Sequence, residues 1–217
     1  QEKDQLDISI LNVSLGLAGT KKWDKTALTA SMDYSNLMPY MNVVKQDIRW
    51  DKMPETLETG LNFRHKTEKG LFKVYGNYSS SNFTLYQPNL NTKLEDKLNL
   101  SNNNTYLNSS YTGKVGQKSV LKLSSSFTDY KEKTGINSAL LSKQTYGGHA
   151  KARLSNQISS RIQLVSGTEV FAKEFTQNYT SNGLTNTVRF TDYTLGGFVE
   201  GQIYFTEKIV ARIGGRM

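Results

Sequence analysis

The stretch YGGHAKARL at residues 146–154 decides the fold. Its even-numbered residues are aromatic, small or aliphatic, whereas its odd-numbered residues are glycine or basic. Successive side chains of a β-strand point to opposite faces of the sheet, so this alternation predicts a strand with one apolar and one cationic face.

The same separation recurs along the chain and predicts an all-β, antiparallel protein. The predicted apolar faces contain Leu28, Ala30, Met32, Tyr34, Leu57, Leu61, Phe63, Phe72, Val74, Tyr78, Ile162, Leu164, Val170, Ala172, Ile209, Ala211 and Ile213. We predict about ten strands, at 7–18, 25–36, 56–65, 70–80, 97–112, 118–130, 143–156, 160–175, 187–204 and 208–217. Several exceed the usual strand length and match the roughly 9 to 11 residues that a tilted strand needs to cross a bilayer.

Composition narrows the class of protein. Only 36% of the 217 residues are hydrophobic, which is few for the buried core of a soluble domain of this length. No run reaches the roughly 18 apolar residues of a membrane-spanning helix. Cysteine is absent, which excludes disulfides, thiolate metal sites and cysteine nucleophiles. The net charge of +8 is spread along the chain rather than clustered, so we expect no nucleic-acid partner.

The lengths of the predicted connections alternate. Short connections at 19–24, 66–69, 113–117, 157–159 and 205–207 are interleaved with long ones at 37–55, 81–96, 131–142 and 176–186. Outer-membrane barrels have short periplasmic turns and long extracellular loops, so this alternation predicts a transmembrane barrel wall. We assign Pro39, Pro54 and Pro88 to the loops.

Aromatic residues recur towards the predicted strand ends. They are Tyr34, Tyr78, Tyr111, Phe127, Tyr130, Tyr146, Phe175, Tyr193 and Phe205. Rings with a polar tip suit the bilayer interface and form girdles there, so the recurrence indicates an interfacial belt.

Several segments resemble the barrel of TonB-dependent outer-membrane receptors, particularly those of Bacteroides-like bacteria. They are VVKQDIRWDKMPETLETGLNFRHKTEKGLFKVYGNY at 43–78, LNLSNNNTYLNSSYTGKVG at 98–116, RIQLVSGTEVF at 161–171 and FVEGQIYFTEKIVARIGGRM at 198–217. The last resembles the family's pattern of strand, short turn and strand ending in Gly, Arg and an apolar residue. The resemblance implies energised uptake of a nutrient such as a metal chelate, cofactor or glycan.

The resemblance also implies missing parts. Such receptors are barrels of about 22 strands around a plug, so residues 1–217 are expected to be a partial outer-membrane β-barrel domain. The plug domain, the TonB-binding segment and the remaining strands are expected outside this chain. The implied partners are outer-membrane lipid and lipopolysaccharide, the plug domain, TonB and a surface lipoprotein, with no cofactor.

We predict no catalytic or metal-binding residue and no enzyme activity. His149 lies on the cationic face and His65 lies beside a turn, and neither has a neighbourhood that suggests a catalytic base. Glu169 and Glu174 are interpreted as lumen and rim charges. The loop aromatics Tyr40, Trp50, Tyr86 and Tyr179 are the candidates for ligand contact.

Two alternatives stay open: a complete ten-stranded outer-membrane barrel that acts as a surface adhesin or protease, and a soluble β-sandwich binding module. If the long connections are extracellular, the strand at 7–18 runs towards the periplasm. We therefore expect the chain to start inside a barrel, after an odd number of strands, and to continue beyond Met217. Lipid-facing residues are predicted to include Ala30, Met32, Val74, Leu123, Ala150, Ala152, Leu164, Val199 and Ile213.

Overall fold

A computed structural model describes residues 4–44, 48–89, 94–206 and 209–217. Within these ranges the chain forms eleven strands and one short helix, and no helix is long and apolar enough to cross a membrane. The elements are β1 (Gln5–Leu11), β2 (Ser14–Lys22), β3 (Thr26–Asn36), α1 (Met38–Val43), β4 (Arg49–Lys66), β5 (Gly70–Pro88), β6 (Glu95–Val115), β7 (Ser119–Ile136), β8 (Ala139–Ser159), β9 (Ile162–Ser181), β10 (Leu184–Tyr204) and β11 (Val210–Arg216).

All eleven strands belong to one antiparallel sheet in the order of the sequence, from β1 to β11. Each of β2 to β10 pairs with the strand that precedes it and the strand that follows it, as in a wall built from successive hairpins. The architecture is one continuous sheet, whereas a sandwich packs two sheets face to face. This confirms the predicted all-β, antiparallel, barrel-like fold class.

The connections define two ends of the sheet. The lower end carries the connections 23–25, 67–69, 116–118 and 160–161 and the link from β10 to β11, and the upper end carries 12–13, 137–138 and 182–183 and the links from β3 to β4 and from β5 to β6. Gly116, in the connection between β6 and β7, has φ +70°. Glycine adopts this left-handed conformation without the steric cost that a Cβ would impose.

The prediction of a single strand at 7–18 was wrong. This segment forms β1 and part of β2, and the register pairs Leu11 with Ser14 across a turn at Asn12 and Val13. Leu6, Ile8 and Ile10 share a face with Leu15 and Leu17 only because the chain folds back at this turn. The predicted odd number of preceding strands assumed that the first strand runs towards the lower end. Because β2 runs that way, β1 runs towards the upper end, and this assumption does not hold.

Two of the predicted long loops were also wrong. Residues 131–142 and 176–186 form strands that continue to two-residue turns at 137–138 and 182–183. The apolar alternation stops in these segments because both faces are polar, but backbone pairing does not require apolar side chains, and Thr and Tyr favour strands. Asn182 and Gly183 have φ 50° and 78°, the conformation that the Asn-Gly pair supplies in hairpin turns.

The other two long connections are shorter than predicted. Strands cover 49–55 of the first predicted loop and 81–88 and 95–96 of the second, so Pro88 is the last residue of β5 rather than a loop residue. Pro39 lies in the first turn of α1, where its missing N–H costs nothing. Pro54 lies inside β4, contrary to the loop assignment, where the register between β4 and β5 shifts. Such an irregularity is where a strand tolerates proline.

The chain has almost no buried core. Among the described residues, Val165 is the one buried hydrophobic side chain. The accessible surface is 15456 Å², about half again the roughly 10,000 Å² expected for a compact monomer of this mass. A sheet that leaves so much apolar surface uncovered requires another apolar environment.

Candidate functional site

The candidate site is the sheet itself, because the pairing register joins the predicted strand faces into two continuous surfaces. Across β3 to β5, Ala30 pairs with Leu61 and Leu61 with Gly76, while Ser31 pairs with Gly60 and Gly60 with Asn77. Across β8 to β10, Ala150 pairs with Val170 and Val170 with Leu195. We call the two surfaces the apolar face and the polar face.

The apolar face contains all nine residues predicted to face lipid. Cross-strand partners lie on the same face, and the register places these nine on one side: Ala30, Met32, Val74, Leu123, Ala150, Ala152, Leu164, Val199 and Ile213. Many are exposed, as Val199 (54%) and Ile213 (72%) illustrate. The buried side chains Val165, Glu169 and Gln202 lie on the polar face, whereas Thr84 lies on the apolar face. The polar face is therefore the more sheltered of the two.

The apolar band has the height of a bilayer. Residues 146–154 of β8 span about 30 Å of strand, or about 21 to 25 Å at the usual tilt of about 35 to 45°, close to the roughly 25 Å apolar band of outer-membrane barrels. At its upper edge, aromatic residues occupy the last apolar position before polar residues begin: Tyr34, Tyr78, Phe127, Tyr146 and Tyr193. The predicted belt is thus present for these five, but Tyr130 and Phe175 lie on the polar face.

Ion pairs lie on the apolar face directly above the aromatic edge. Lys52 Nζ lies 2.6 Å from Glu55, Lys131 Nζ lies 2.9 Å from Asp129, and Arg189 lies 2.8 Å from Glu174. Charged groups avoid the hydrocarbon region, so these pairs mark where the apolar band ends. Above this level the strands continue as polar hairpins. Glu174, interpreted from the sequence as a rim charge, lies opposite Tyr146 just above the aromatic edge.

Glu169 is the centre of a charge cluster on the polar face. Its carboxylate is only 4% exposed; Lys151 Nζ lies 3.1 Å from it, and the Arg216 guanidinium contacts it from β11. Arg216 reaches Glu169 across β10, where Gly196 pairs with Glu169. A Cβ at Gly196 would lie 3.6 Å from Glu169 Cγ, in ordinary van der Waals contact with the Glu169 side chain.

His149 also borders this cluster, and its carboxylate neighbour was missed by the sequence analysis. Its Nε2 lies 3.7 Å from Glu169, an electrostatic contact too long for a hydrogen bond. The imidazole stacks on Phe171 at 3.9 Å, which turns it towards β9. Its cross-strand partner on β7 is Ser126, and its partner on β9 is Phe171. The ring therefore lies beside the charge cluster on the β9 side.

His65 lies on the apolar face at the lower edge. Its Nδ1 and Thr26 Oγ1 are 2.8 Å apart, and its cross-strand partner is Phe72. Within the described residues, no group of three or more His, Cys, Asp or Glu side chains is arranged to hold a metal ion.

The structure separates the four aromatic candidates for ligand contact. Tyr40 lies in α1, Tyr86 lies on the apolar face, and Trp50 and Tyr179 lie on the polar face near the upper end. Trp50 and Tyr179 are five strands apart, about 24 Å along the sheet. The four residues do not form one pocket.

Tyr86 is covered by basic groups. The Arg49 guanidinium lies 3.6 Å from the centre of its ring, and Lys97 Nζ lies 5.7 Å from it. Arg49 also donates to Glu95 and Lys97 pairs with Asp51 at 2.7 Å, and these hydrogen bonds raise the pKa of both basic groups. Tyr86 thus has two basic neighbours within the wall, and its role in ligand contact stays a prediction.

Trp50 belongs to an apolar patch that the sequence analysis missed. Its ring meets Phe83 edge-on at 5.9 Å. Cross-strand pairing places Leu85 beside Leu98 and Phe83 beside Leu100 on the same polar face. Because polar residues surround these positions in the sequence, only the pairing of β4, β5 and β6 brings them together.

Comparison with known proteins adds evidence on the fold. No protein-family profile matches the chain, and no curated protein matches it significantly. Solved structures do match. The ferric yersiniabactin uptake receptor FyuA from Yersinia pestis is 12% identical, with a TM-score of 0.59, over 98% of this chain and 40% of that one.

The ferric citrate transporter FecA in its unliganded form is 9% identical, with a TM-score of 0.65, over 94% of this chain and 35% of that one. The copper transporter OprC is 10% identical, with a TM-score of 0.62, over 93% of this chain and 35% of that one. This chain therefore spans 35–40% of the length of these proteins and shares their all-β, barrel-like fold. The resemblance to Bacteroides-like sequences stays an expectation.

Proposed function

We propose that this chain is a section of the wall of a TonB-dependent outer-membrane receptor that takes up a nutrient. The continuous, exposed apolar face carries the proposal, because an aromatic edge and ion pairs bound it and the opposite face is polar and charged. A water-filled or plugged lumen on one side and lipid on the other explain this division. The shared fold with uptake receptors and transporters supports it.

The edges of the sheet support a larger barrel. β1 and β11 each pair with one neighbour, and β11 pairs with β10 only over 198–204. Residues 184–196 of β10 therefore present an edge, with β9 as their one partner strand in the described sheet. Residues 193–196 of this edge and the outer edge of β11 lie at the level of the apolar band, where unpaired backbone groups are costly in lipid, so the wall requires further strands beside it. We infer that residues 1–217 are part of a barrel domain, with the plug domain elsewhere.

We place the lower end in the periplasm and the upper end outside the cell. The lower connections are short, whereas the strands at the upper end extend beyond the aromatic edge as polar hairpins. Nutrient would first meet the upper polar face, where Trp50 and its apolar patch lie. Lipopolysaccharide would contact the charged groups above the aromatic edge, and a surface lipoprotein would meet the upper hairpins.

The cargo is a metal chelate, a cofactor or a glycan. FyuA, FecA and OprC are named for ferric yersiniabactin, ferric citrate and copper. These names favour testing metal chelates first. The test compares growth of cells with and without the intact receptor. A requirement for the receptor when a ferric chelate is the only iron source would support a metal chelate as cargo. A requirement for the receptor only when a glycan is the nutrient would contradict it.

Single-cysteine labelling tests the wall. Residues 1–217 contain no cysteine, so each introduced thiol reports one position. In outer membranes, a lipid-soluble maleimide should label Ala150→Cys and Val199→Cys, and a water-soluble maleimide should label Arg153→Cys. Lipid-phase labelling of Arg153→Cys would overturn the assignment of the faces.

A second thiol pair tests the rival small barrel. Asp7→Cys in β1 and Arg212→Cys in β11 both lie on the polar face, on the two edge strands. A large barrel keeps them apart, so oxidation should leave both thiols free. Rapid formation of a disulfide within one molecule would favour closure of this chain on itself.

A further inference from the structure

Two pairs of basic residues lie directly opposite each other on the polar face near the lower end. Arg64 of β4 pairs with Lys73 of β5, and Lys122 of β7 pairs with Arg153 of β8. We call these four residues the basic patch. Like charges directly opposite each other destabilise a sheet, and an enclosed lumen of lower dielectric strengthens the repulsion.

Carboxylates of the wall do not neutralise the basic patch. Within the described residues, none of its four side chains forms an ion pair or a side-chain hydrogen bond, and all four residues are exposed. Two other basic residues of the polar face have acidic partners: Lys151 pairs with Glu169, and Arg212 lies 3.2 Å from Glu200. Lys66, Lys114 and Lys173 on this face have no ion pair within the described residues either, so what sets the basic patch apart is that its basic residues lie directly opposite each other.

The residues between the two pairs are short and neutral. Ser110 lies beside Lys73, Thr112 beside Lys122, and Ser124 beside Ser110 in the register. Glu169 is diagonal to Arg153 but already contacts Lys151 and Arg216. Short side chains between long basic ones leave room for another surface to approach the sheet closely.

We propose that the basic patch docks an acidic protein surface, namely an Asp- and Glu-bearing surface of the domain that fills the lumen. This inference rests on the proposed function. The patch spreads from β4 to β8, four strand spacings or about 19 Å. One small anion could contact only one of the two pairs, whereas a folded surface contacts both. Charge complementarity of this kind sets the orientation of a docked partner.

Zero-length carbodiimide crosslinking of the full-length receptor in outer membranes tests the proposal. The reagent joins lysine amines to carboxylates in direct contact, and peptide mass spectrometry identifies the joined residues. We expect Lys73 and Lys122 to be joined to Asp or Glu outside residues 1–217. Lys151 and Glu169, 3.1 Å apart, provide the internal control.

The outcomes separate this inference from the proposed function. If the Lys151–Glu169 crosslink forms but Lys73 and Lys122 give no crosslink, or only crosslinks within residues 1–217, the docking proposal fails while the wall stands. If the receptor does not fractionate with the outer membrane, the proposed function itself fails. A third outcome would also overturn the docking proposal. If no protein crosslink forms and added inorganic phosphate protects both lysines from an amine-reactive reagent, the occupant of the patch is a small anion.

Paired substitutions give a second readout. Lys73→Gln with Lys122→Gln should speed protease cleavage of the lumen domain in the detergent-solubilised receptor by about tenfold. The matched control is Lys131→Gln, which removes a basic group from the opposite face, where Asp129 pairs with it. An unchanged cleavage rate in the double variant, or an equal increase in the control, would overturn the proposal.

Discussion

Ala150 and Asn108 show how one residue's position on the sheet sets its tolerance of charge. Ala150 lies on the apolar face, and Asn108 lies on the polar face. The two residues are at nearly the same height in the sheet, because Ala150 pairs with Ser125, Ser125 pairs with Ser109, and Asn108 is next to Ser109. The chemistry of an introduced arginine is identical at both positions. Only the surroundings differ.

We predict that Ala150→Arg destabilises the folded barrel by about 2 to 4 kcal/mol, because it places a cation near the middle of the hydrocarbon region. Asn108→Arg should change stability by less than about 1 kcal/mol, since water or a plug covers its face. Urea unfolding of the receptor in lipid vesicles measures both. Equal stability losses for the two variants would contradict the division into faces.

Glu169→Gln tests the charge cluster. The substitution keeps the size of the side chain but leaves Lys151 and Arg216 without a counter-charge. These basic side chains are 34% and 64% exposed, so solvent screens part of the lost attraction, and we expect a decrease in stability that is measurable and larger than for an exposed surface pair.

The control for Glu169→Gln is Glu174→Gln, whose pair with Arg189 lies above the apolar band and is exposed to solvent. Removal of that surface pair should cost less than about 1 kcal/mol. Both variants can be compared by their urea midpoints under the same conditions. A larger effect at Glu174 would show that Glu169 does not hold the cluster together.

At the scale of elements, the long strands combine two parts with different roles. Their lower parts carry the apolar band, and their upper parts form hairpins whose stability depends on backbone pairing and turn geometry rather than on lipid contact. The hairpin of β9 and β10 closes at Asn182 and Gly183, both in the left-handed conformation. Its turn can therefore be weakened without touching the band.

We predict that Gly183→Val opens this hairpin locally, because a β-branched residue at φ 78° costs about 1 to 2 kcal/mol. Hydrogen exchange should increase in residues 176–190 and stay unchanged in the lower parts of β9 and β10. Leu184→Val, one residue further on, is the control and should leave exchange unchanged. Faster exchange throughout the sheet would show that the upper hairpin is not an independent unit.

In the molecule as a whole, the apolar face is exposed and the described sheet has an open edge at β1 and at β11. We predict that residues 1–217, expressed without detergent, aggregate, because unpaired edges and an uncovered apolar face both promote association. Analytical ultracentrifugation checks the outcome. A monomeric product with a cooperative melting transition would instead support a soluble binding module.

The alternation in the sequence predicted the fold class and the face on which Ala150, Val199 and Ile213 lie. Period-two alternation acts within one strand, so it can be recognised without knowing the neighbours. It failed where both faces are polar, as at 131–142, and where one apolar pattern continues through a turn, as at Asn12 and Val13.

The two faces of the apolar band in β3 to β11 could be predicted from the sequence, because the alternation depends on residues adjacent in the chain. Which side chains meet across strands could be seen in the fold alone: Arg216 contacts Glu169 across Gly196, and Lys122 lies opposite Arg153. Those contacts depend on strand register. Register is set by turns and by pairing along the whole strand, and a shift of a single residue would move every side chain to a different partner and face.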